Sequence, residues 1–144
     1  MSASLYVDPS IIAGLVLGDI EFPPLRAAIP EDAQLVYGTF GFGEAVSAIA
    51  ARTRATHGND ADAAARVAHL RQYLSGWNYT GWVPTDLHRA ITFTTRASLA
   101  LKFPDAIHIA IAERLGLPLL TSDRQQHRAA STLGLASVLA AISG

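Results

Sequence analysis

Apolar positions along the chain fall into short runs and longer helical repeats that alternate. Leu5 to Val7 is an apolar run that stops at Asp8, and Ser10 then opens a helical stretch, Ile11 to Leu17, closed by Gly18. After a proline-rich connection at Pro23 and Pro24, Gln34 to Tyr37 predicts a second strand. Gly38 to Gly43 reads as a glycine-rich bend, beyond which Ala45, Val46, Ile49 and Ala50 recur at helical spacing until His57, Gly58 and Asn59 break the pattern. With Asp60 as N-cap, the repeat of Val67, Leu70 and Leu74 predicts a second long helix, so the two form a helical hairpin ended by Ser75 and Gly76. Trp77 to Val83 is aromatic and irregular, with a short strand within it, and Asp86 caps a helix running toward Leu101. Pro104 starts another helix, packed by Ala106, Ile109, Ala110 and Ala112 and ended by Gly116. Leu117 to Thr121 predicts a strand with Asp123 just beyond it, and Arg124 to Leu133 a last helix. Such alternation predicts an α/β fold, a mostly parallel central sheet flanked by helices on both faces, in which ligands bind beyond the carboxyl ends of the strands.

The 144 residues, half of them hydrophobic, suffice for one core and are too few for two ordinary domains, so residues 1–144 are expected to form a single domain. No apolar stretch reaches the roughly 18 residues that cross a bilayer, and MSASLYVDPS lacks the basic and apolar regions of a secretion signal. A cytoplasmic protein without membrane contact is the expectation. The absence of cysteine removes disulfides, thiolate metal sites and cysteine nucleophiles, so a metal would be held by oxygen or imidazole. A net charge of -1 argues against a broad grip on nucleic acid, which relies on many phosphate contacts. A local basic rim remains open, and Lys102 is the one lysine among eleven basic residues.

Asp8 and Asp123 each directly follow a strand-like run, which places both at strand carboxyl ends. Glu44 is expected to open the helix after the second strand, and Asp105 lies in the first turn of the helix before the last strand, so both can face the same rim. Taken singly, Asp8, Asp105 and Asp123 read as helix caps and Glu44 as a solvated helix-start glutamate. Taken together, four acids in a partly dry cleft repel one another unless cations offset the charge, and an oxygen-only donor set suits magnesium or manganese.

The strings LYVDPSIIAGLVLGD, GFGEAVSAIAAR and FPDAIHIAIAERLGLPLLTSD resemble, in that order, the three acidic blocks of PIN-domain ribonucleases, the VapC toxins of toxin–antitoxin pairs above all. The last block is the most specific, with Asp105-Ala106, His108, Ala110, Ala112, Gly116-Leu117-Pro118 and Thr121-Ser122-Asp123 in register. The resemblance implies a PIN-like fold and an endoribonuclease dependent on Mg2+ or Mn2+. It makes Asp8, Glu44, Asp105 and Asp123 both the catalytic and the metal-binding residues. Ser10 and Thr121 correspond to hydroxyls bordering the site. RNA is the implied substrate and an antitoxin protein the implied partner. Pro9 departs from the pattern, standing where the family usually has Ser or Thr. One or two ions are both compatible with the set.

Other residues carry weaker signals. His57, His69, His88, His108 and His127 form no HExxH or related spacing, and His108, three residues after Asp105, reads as a packed or hydrogen-bonded helix histidine. Tyr73, Trp77, Tyr79 and Trp82 read as packing or a homodimer contact ahead of RNA-base stacking. Gly38, Gly41 and Gly43 lack the GxxxxGK[ST] of a phosphate loop and read as a tight strand-to-helix bend. Two alternatives stand beside the nuclease. One is a binding module of the same fold that does not cleave. The other is a phospho-accepting receiver, disfavoured because Lys102 precedes Phe103 and Pro104 at a helix start.

Overall fold

The computed structural model describes residues 3–142. In chain order the elements are β1 (Ser4–Val7), α1 (Pro9–Leu17), α2 (Phe22–Ala27), β2 (Gln34–Gly38), α3 (Thr39–Ala55), α4 (Asp60–Leu74), β3 (Asn78–Thr80) and α5 (Pro84–Thr95). A single 3-10 turn (Ala97–Leu99) then leads to α6 (Phe103–Leu115), β4 (Leu119–Thr121), α7 (Arg124–Thr132) and β5 (Ser137–Leu139). All strand pairs are parallel, in the order β3-β2-β1-β4-β5. Among the described residues, no helix is long and apolar enough to cross a membrane.

Helices cover both faces, so each central strand must be apolar on both sides. Leu5 and Val7 of β1 and Leu120 of β4 pack with α1, α3 and α4 through Ile11, Ile12, Ile49, Leu70 and Leu74. Tyr6 and Leu119 point the other way, into a second core of Phe93, Ile107, Ile109, Ile111 and Ala129 from α5, α6 and α7. Register aligns Val7 with Tyr37 and with Leu120. The central strands therefore end together, and Asp8, Gly38 and Thr121 share one rim.

Several boundaries differ from the sequence expectation. The proline-rich connection is the short helix α2, where Pro23 sits in the first turn and its missing N–H breaks no helical bond. The glycine-rich bend is already helix: α3 begins at Thr39, so Glu44 lies in its second turn and does not open it. The glycines serve close approach. A Cβ on Gly38 would stand 2.5 Å from the Tyr6 hydroxyl, and one on Gly41 would stand 3.0 Å from a ring carbon of His108 and 3.4 Å from Pro9. The N-cap of α4 is Asn59, which exchanges hydrogen bonds with Asp62 in a capping box, and Asp60 is the first helical residue. Likewise α5 begins at Pro84 and ends at Thr95, short of Leu101, with Asp86 inside its first turn. The pattern also missed β5, a three-residue edge strand.

Candidate functional site

Each of the four acids reaches the rim from a different element. Asp8 follows β1, and its backbone N–H donates to the Leu120 carbonyl at 2.9 Å, fixing it beside β4. It is buried and caps α1, one oxygen accepting from the Ser10 N–H at 3.0 Å while Pro9 fills the first helical position. Its other oxygen accepts from the side-chain amide of Gln126 at 3.0 Å. Asp123 caps α7, with one oxygen accepting from the N–H groups of Gln125 and Gln126 at 2.8 and 3.1 Å. The capping roles of Asp8 and Asp123 are therefore real, and each cap also holds its acid at the rim.

Asp105 caps nothing. The N-cap of α6 is Lys102, which makes no side-chain cap bond, and Asp105 lies in the first turn with its carboxyl half-buried. Burial first, then the charges of Asp8 and Asp123, and more weakly that of Glu44, push its carboxyl up to about 6, with His108 pulling the other way. This perturbation records that all four carboxylates lie in one field. Among the described residues neither Lys nor Arg pairs with any of them, the arginine ion pairs being Arg52 with Asp19, Arg89 with Glu113 and Arg114 with Asp86.

Glu44 is held from behind. One of its oxygens bonds Nε2 of His108, whose Nδ1 lies 2.7 Å from the Tyr6 hydroxyl. Tyr6 and His108 are fully buried, and burial raises Tyr6 far above the ordinary phenol range. A carboxylate only accepts, so Nε2 carries a ring hydrogen and donates to Glu44; in the neutral ring Nδ1 then accepts from the Tyr6 hydroxyl, which keeps its proton. Gly38 makes room for that hydroxyl and Gly41 for the ring. His108 is the hydrogen-bonded helix histidine the sequence suggested, and it also orients an acid of the rim.

Gln126 went unnoticed in the sequence. It is buried, its amide donates to Asp8 and to the Asp105 carbonyl at 3.2 Å, and its oxygen accepts from the Thr121 hydroxyl at 2.7 Å. Thr121 in turn accepts from the Asp123 N–H at 3.0 Å and stands 3.5 Å from the Ser10 hydroxyl. One available signal was the Asp-x-x-Gln spacing of a capping box, although here the glutamine turns away from the N-cap and ties β1, α6 and α7 together.

Among the described residues, no three His, Asp or Glu side chains stand within reach of one common ion. The acids form an oxygen-rich rim and not a closed coordination shell. Its chemistry fits a hard divalent cation: the donors are carboxylate oxygens and, among the described residues, the Asp105 carboxyl has no Lys or Arg partner and one oxygen each of Glu44 and Asp123 has no hydrogen-bond partner. Exposed Lys102 and Arg124 begin α6 and α7 beside this rim. The aromatic group of the sequence divides: Tyr73 and Trp77 pack against the core, whereas Tyr79 and Trp82 are exposed.

A family model described as PIN domain matches residues 5–131. A comparison with curated proteins returns no match. Among solved structures, VapC20 of Mycobacterium tuberculosis, described as a sarcin-ricin loop cleaving toxin, is 20% identical with TM-score 0.67, covering 94% of this chain and 98% of that one. VapBC2 from Rickettsia felis, bound to a DNA fragment from its promoter, is 8% identical with TM-score 0.71, covering 95% and 98%. A toxin–antitoxin complex from Klebsiella pneumoniae is 23% identical with TM-score 0.58, covering 83% and 86%. At these identities the likeness carries the fold.

Proposed function

The chain belongs to the PIN domain family, and from that premise we propose that it is an endoribonuclease that hydrolyses RNA phosphodiesters by in-line attack of water, the toxin of a toxin–antitoxin pair. The observation that carries this reading is the convergence of Asp8, Glu44, Asp105 and Asp123 on one rim where, among the described residues, neither Lys nor Arg pairs with any of them; burial and the other three charges push Asp105 up to about 6. Asp8, Glu44, Asp105 and Asp123 are the residues that would hold magnesium or manganese. Such a cation would supply positive charge that acidifies water and offsets charge developing on the phosphate.

The protein's own groups hold this arrangement open. Gln126 and the Ser10 N–H aim Asp8, the Tyr6–His108 pair aims Glu44, and the first turn of α7 aims Asp123. Lys102 and Arg124, at exposed helix starts, would take the phosphates flanking the cut, where helix N-termini also favour anions. The antitoxin would cover the rim by inserting a basic side chain among the carboxylates, an arginine standing in for the cation. The fold-level likeness to the Klebsiella toxin–antitoxin complex supports a partner of that kind.

A second reading, a binding module that does not cleave, is favoured by the hydrogen bond that each Asp8 oxygen already accepts and by the lack, among the described residues, of three acids around one ion point. One experiment separates the two. Purified protein is expected to cleave RNA with magnesium or manganese and to stop in excess chelator, and Asp105→Asn is expected to abolish cleavage while the fold persists. Cleavage undiminished by chelator, or by Asp105→Asn, would sink the proposed mechanism. No cleavage under any metal would favour the binding module. Co-purification from the native host is expected to bring down a small inhibitory protein; recovery of only free, active chain would count against the toxin reading.

A further inference from the structure

Beyond the acids, the same rim carries a hollow of about 220 Å³ lined by Tyr37, Thr39, Phe42, Arg71 and Tyr79. Tyr37 and Tyr79 are register partners at the carboxyl ends of β2 and β3, with ring centroids 6.1 Å apart. The Phe42 ring lies 6.5 Å from Tyr37, and the Arg71 guanidinium of α4 sits over Phe42 at 4.9 Å from its centroid. Tyr79 is 70% exposed, although burying its ring would ordinarily stabilise the fold. No carboxylate lines the hollow, and Arg71 takes no part in the ion pairs among the described residues.

We infer that this hollow is a subsite for one base of single-stranded RNA, stacked on Tyr79 and Tyr37 with Arg71 on its phosphate or its edge; the inference rests on the nuclease reading for its substrate class. The volume is below the roughly 300–1,000 Å³ of a site for a drug-sized ligand, which suits a single flat ring. The open face of Tyr79, beside partly buried Tyr37 and a guanidinium that stacks on Phe42 but joins no ion pair among the described residues, is the kind of platform that unpaired bases use. Thr39 and the two tyrosines add hydroxyls able to read a base edge. Phe42 and Glu44 are two positions apart on α3, about 160° around its axis, so the hollow and the acids flank opposite sides of that helix. A nucleotide held here therefore lies close to the cleaved linkage without sharing it, where a pocket selects sequence.

The test uses single-stranded oligoribonucleotides carrying 2-aminopurine at successive positions, bound in manganese by Asp105→Asn protein so that nothing is cut. Quenching is expected at one or two adjacent positions. Adding Tyr79→Ala should restore the fluorescence and weaken binding about tenfold, while Tyr79→Phe keeps the quench. Quenching at no position, or unchanged quenching with Tyr79→Ala, overturns the inference. In the cleavage-competent chain, Arg71→Ala and Tyr79→Ala should raise KM and relax the base preference at a fixed offset from the cut. Unaltered cut sites and KM overturn it as well. If nothing cleaves yet the quench is present and needs Tyr79, the nuclease reading fails and the base subsite stands. Sedimentation showing a dimer that Tyr79→Ala dissolves, without any response to RNA, would assign the patch to a second copy and overturn the inference.

Discussion

Asp86 and Asp105 each lie in the first turn of a helix, α5 and α6, and the protein treats their charges in opposite ways. Asp86 is buried and fully served: it accepts from the Val83 N–H at 2.8 Å and from two nitrogens of Arg114 at 2.8 and 3.0 Å. Asp105 faces Asp8, Asp123 and Glu44, receives no arginine or lysine, and is pushed up to about 6. A carboxylate that only holds the fold together arrives with its countercharge built in. At the rim no such countercharge is built in among the described residues, an arrangement that suits the proposed cation site better than a purely structural cluster.

The largest effects should divide along this line. Replacing Asp105 by Asn is expected to lower RNA cleavage by about a thousandfold, roughly 4 kcal/mol of transition-state stabilisation, with little loss of fold stability. Asp8→Asn should lose as much cleavage and also about 1–3 kcal/mol of stability, because its NH2 would face the Ser10 N–H or the Gln126 amide. Cleavage rates set beside denaturant melts check this, and near-wild-type rates would break the comparison. Asp86→Ala should show the reverse, costing about 3 kcal/mol of stability by stranding Arg114 while the cleavage chemistry persists at temperatures where the variant stays folded. A destabilisation below about 0.5 kcal/mol in urea would mean that the Asp86–Arg114 pair does not brace α5 against α6.

Parts of this were legible in the sequence for physical reasons. The strands at Leu5–Val7 and Gln34–Tyr37 stood out because they are covered on both faces and read as unbroken apolar runs, and the acids stood out because Asp8 and Asp123 end such runs. The strand Ser137–Leu139 did not, since two half-buried residues and an exposed leucine at the sheet edge carry too little pattern. The helix start at Thr39 was hidden by Gly41 and Gly43, which are poor helix formers kept for close packing at Gly41. What no local spacing reveals is the support of the site. Gln126 meets Asp8 across 118 positions, Tyr6 meets His108 across 102, and Arg114 meets Asp86 across 28, so these partners follow only from the assembled fold.

A smaller effect sharpens the contrast through binding. Manganese at a hundredfold excess over its Kd should stabilise the wild type by about 2.7 kcal/mol, because the ion binds the native state alone. Asp105→Asn should melt at or above the wild type in chelator, since a repelling charge is gone, yet gain little from manganese. Asp86→Ala should melt lower throughout and gain as much as the wild type. An equal manganese shift in wild type and Asp105→Asn would remove Asp105 from the site.

The smallest effect is the pH dependence of the metal-free fold. Asp105 titrates near the ordinary 3.8 when unfolded and near 6 when folded, so between those values the native state binds the extra proton. Protons held by the native state and not by the unfolded one make stability fall as pH rises, so ionising Asp105 should weaken the fold between about pH 4 and pH 6, with no further change above. Solvent screening at a half-buried carboxyl keeps the amplitude to about 1 kcal/mol. Asp86→Ala should lower the whole curve and leave this slope in place, because it leaves Asp105 and the acids around it untouched. Asp105→Asn should flatten the slope without lowering the curve, because asparagine has no proton to lose. Urea melts in chelator from pH 4 to pH 7 decide the matter: a wild-type slope that survives Asp105→Asn would mean that the rim's charge is felt by some other carboxylate, and that Asp105 is not the centre of the proposed cation site.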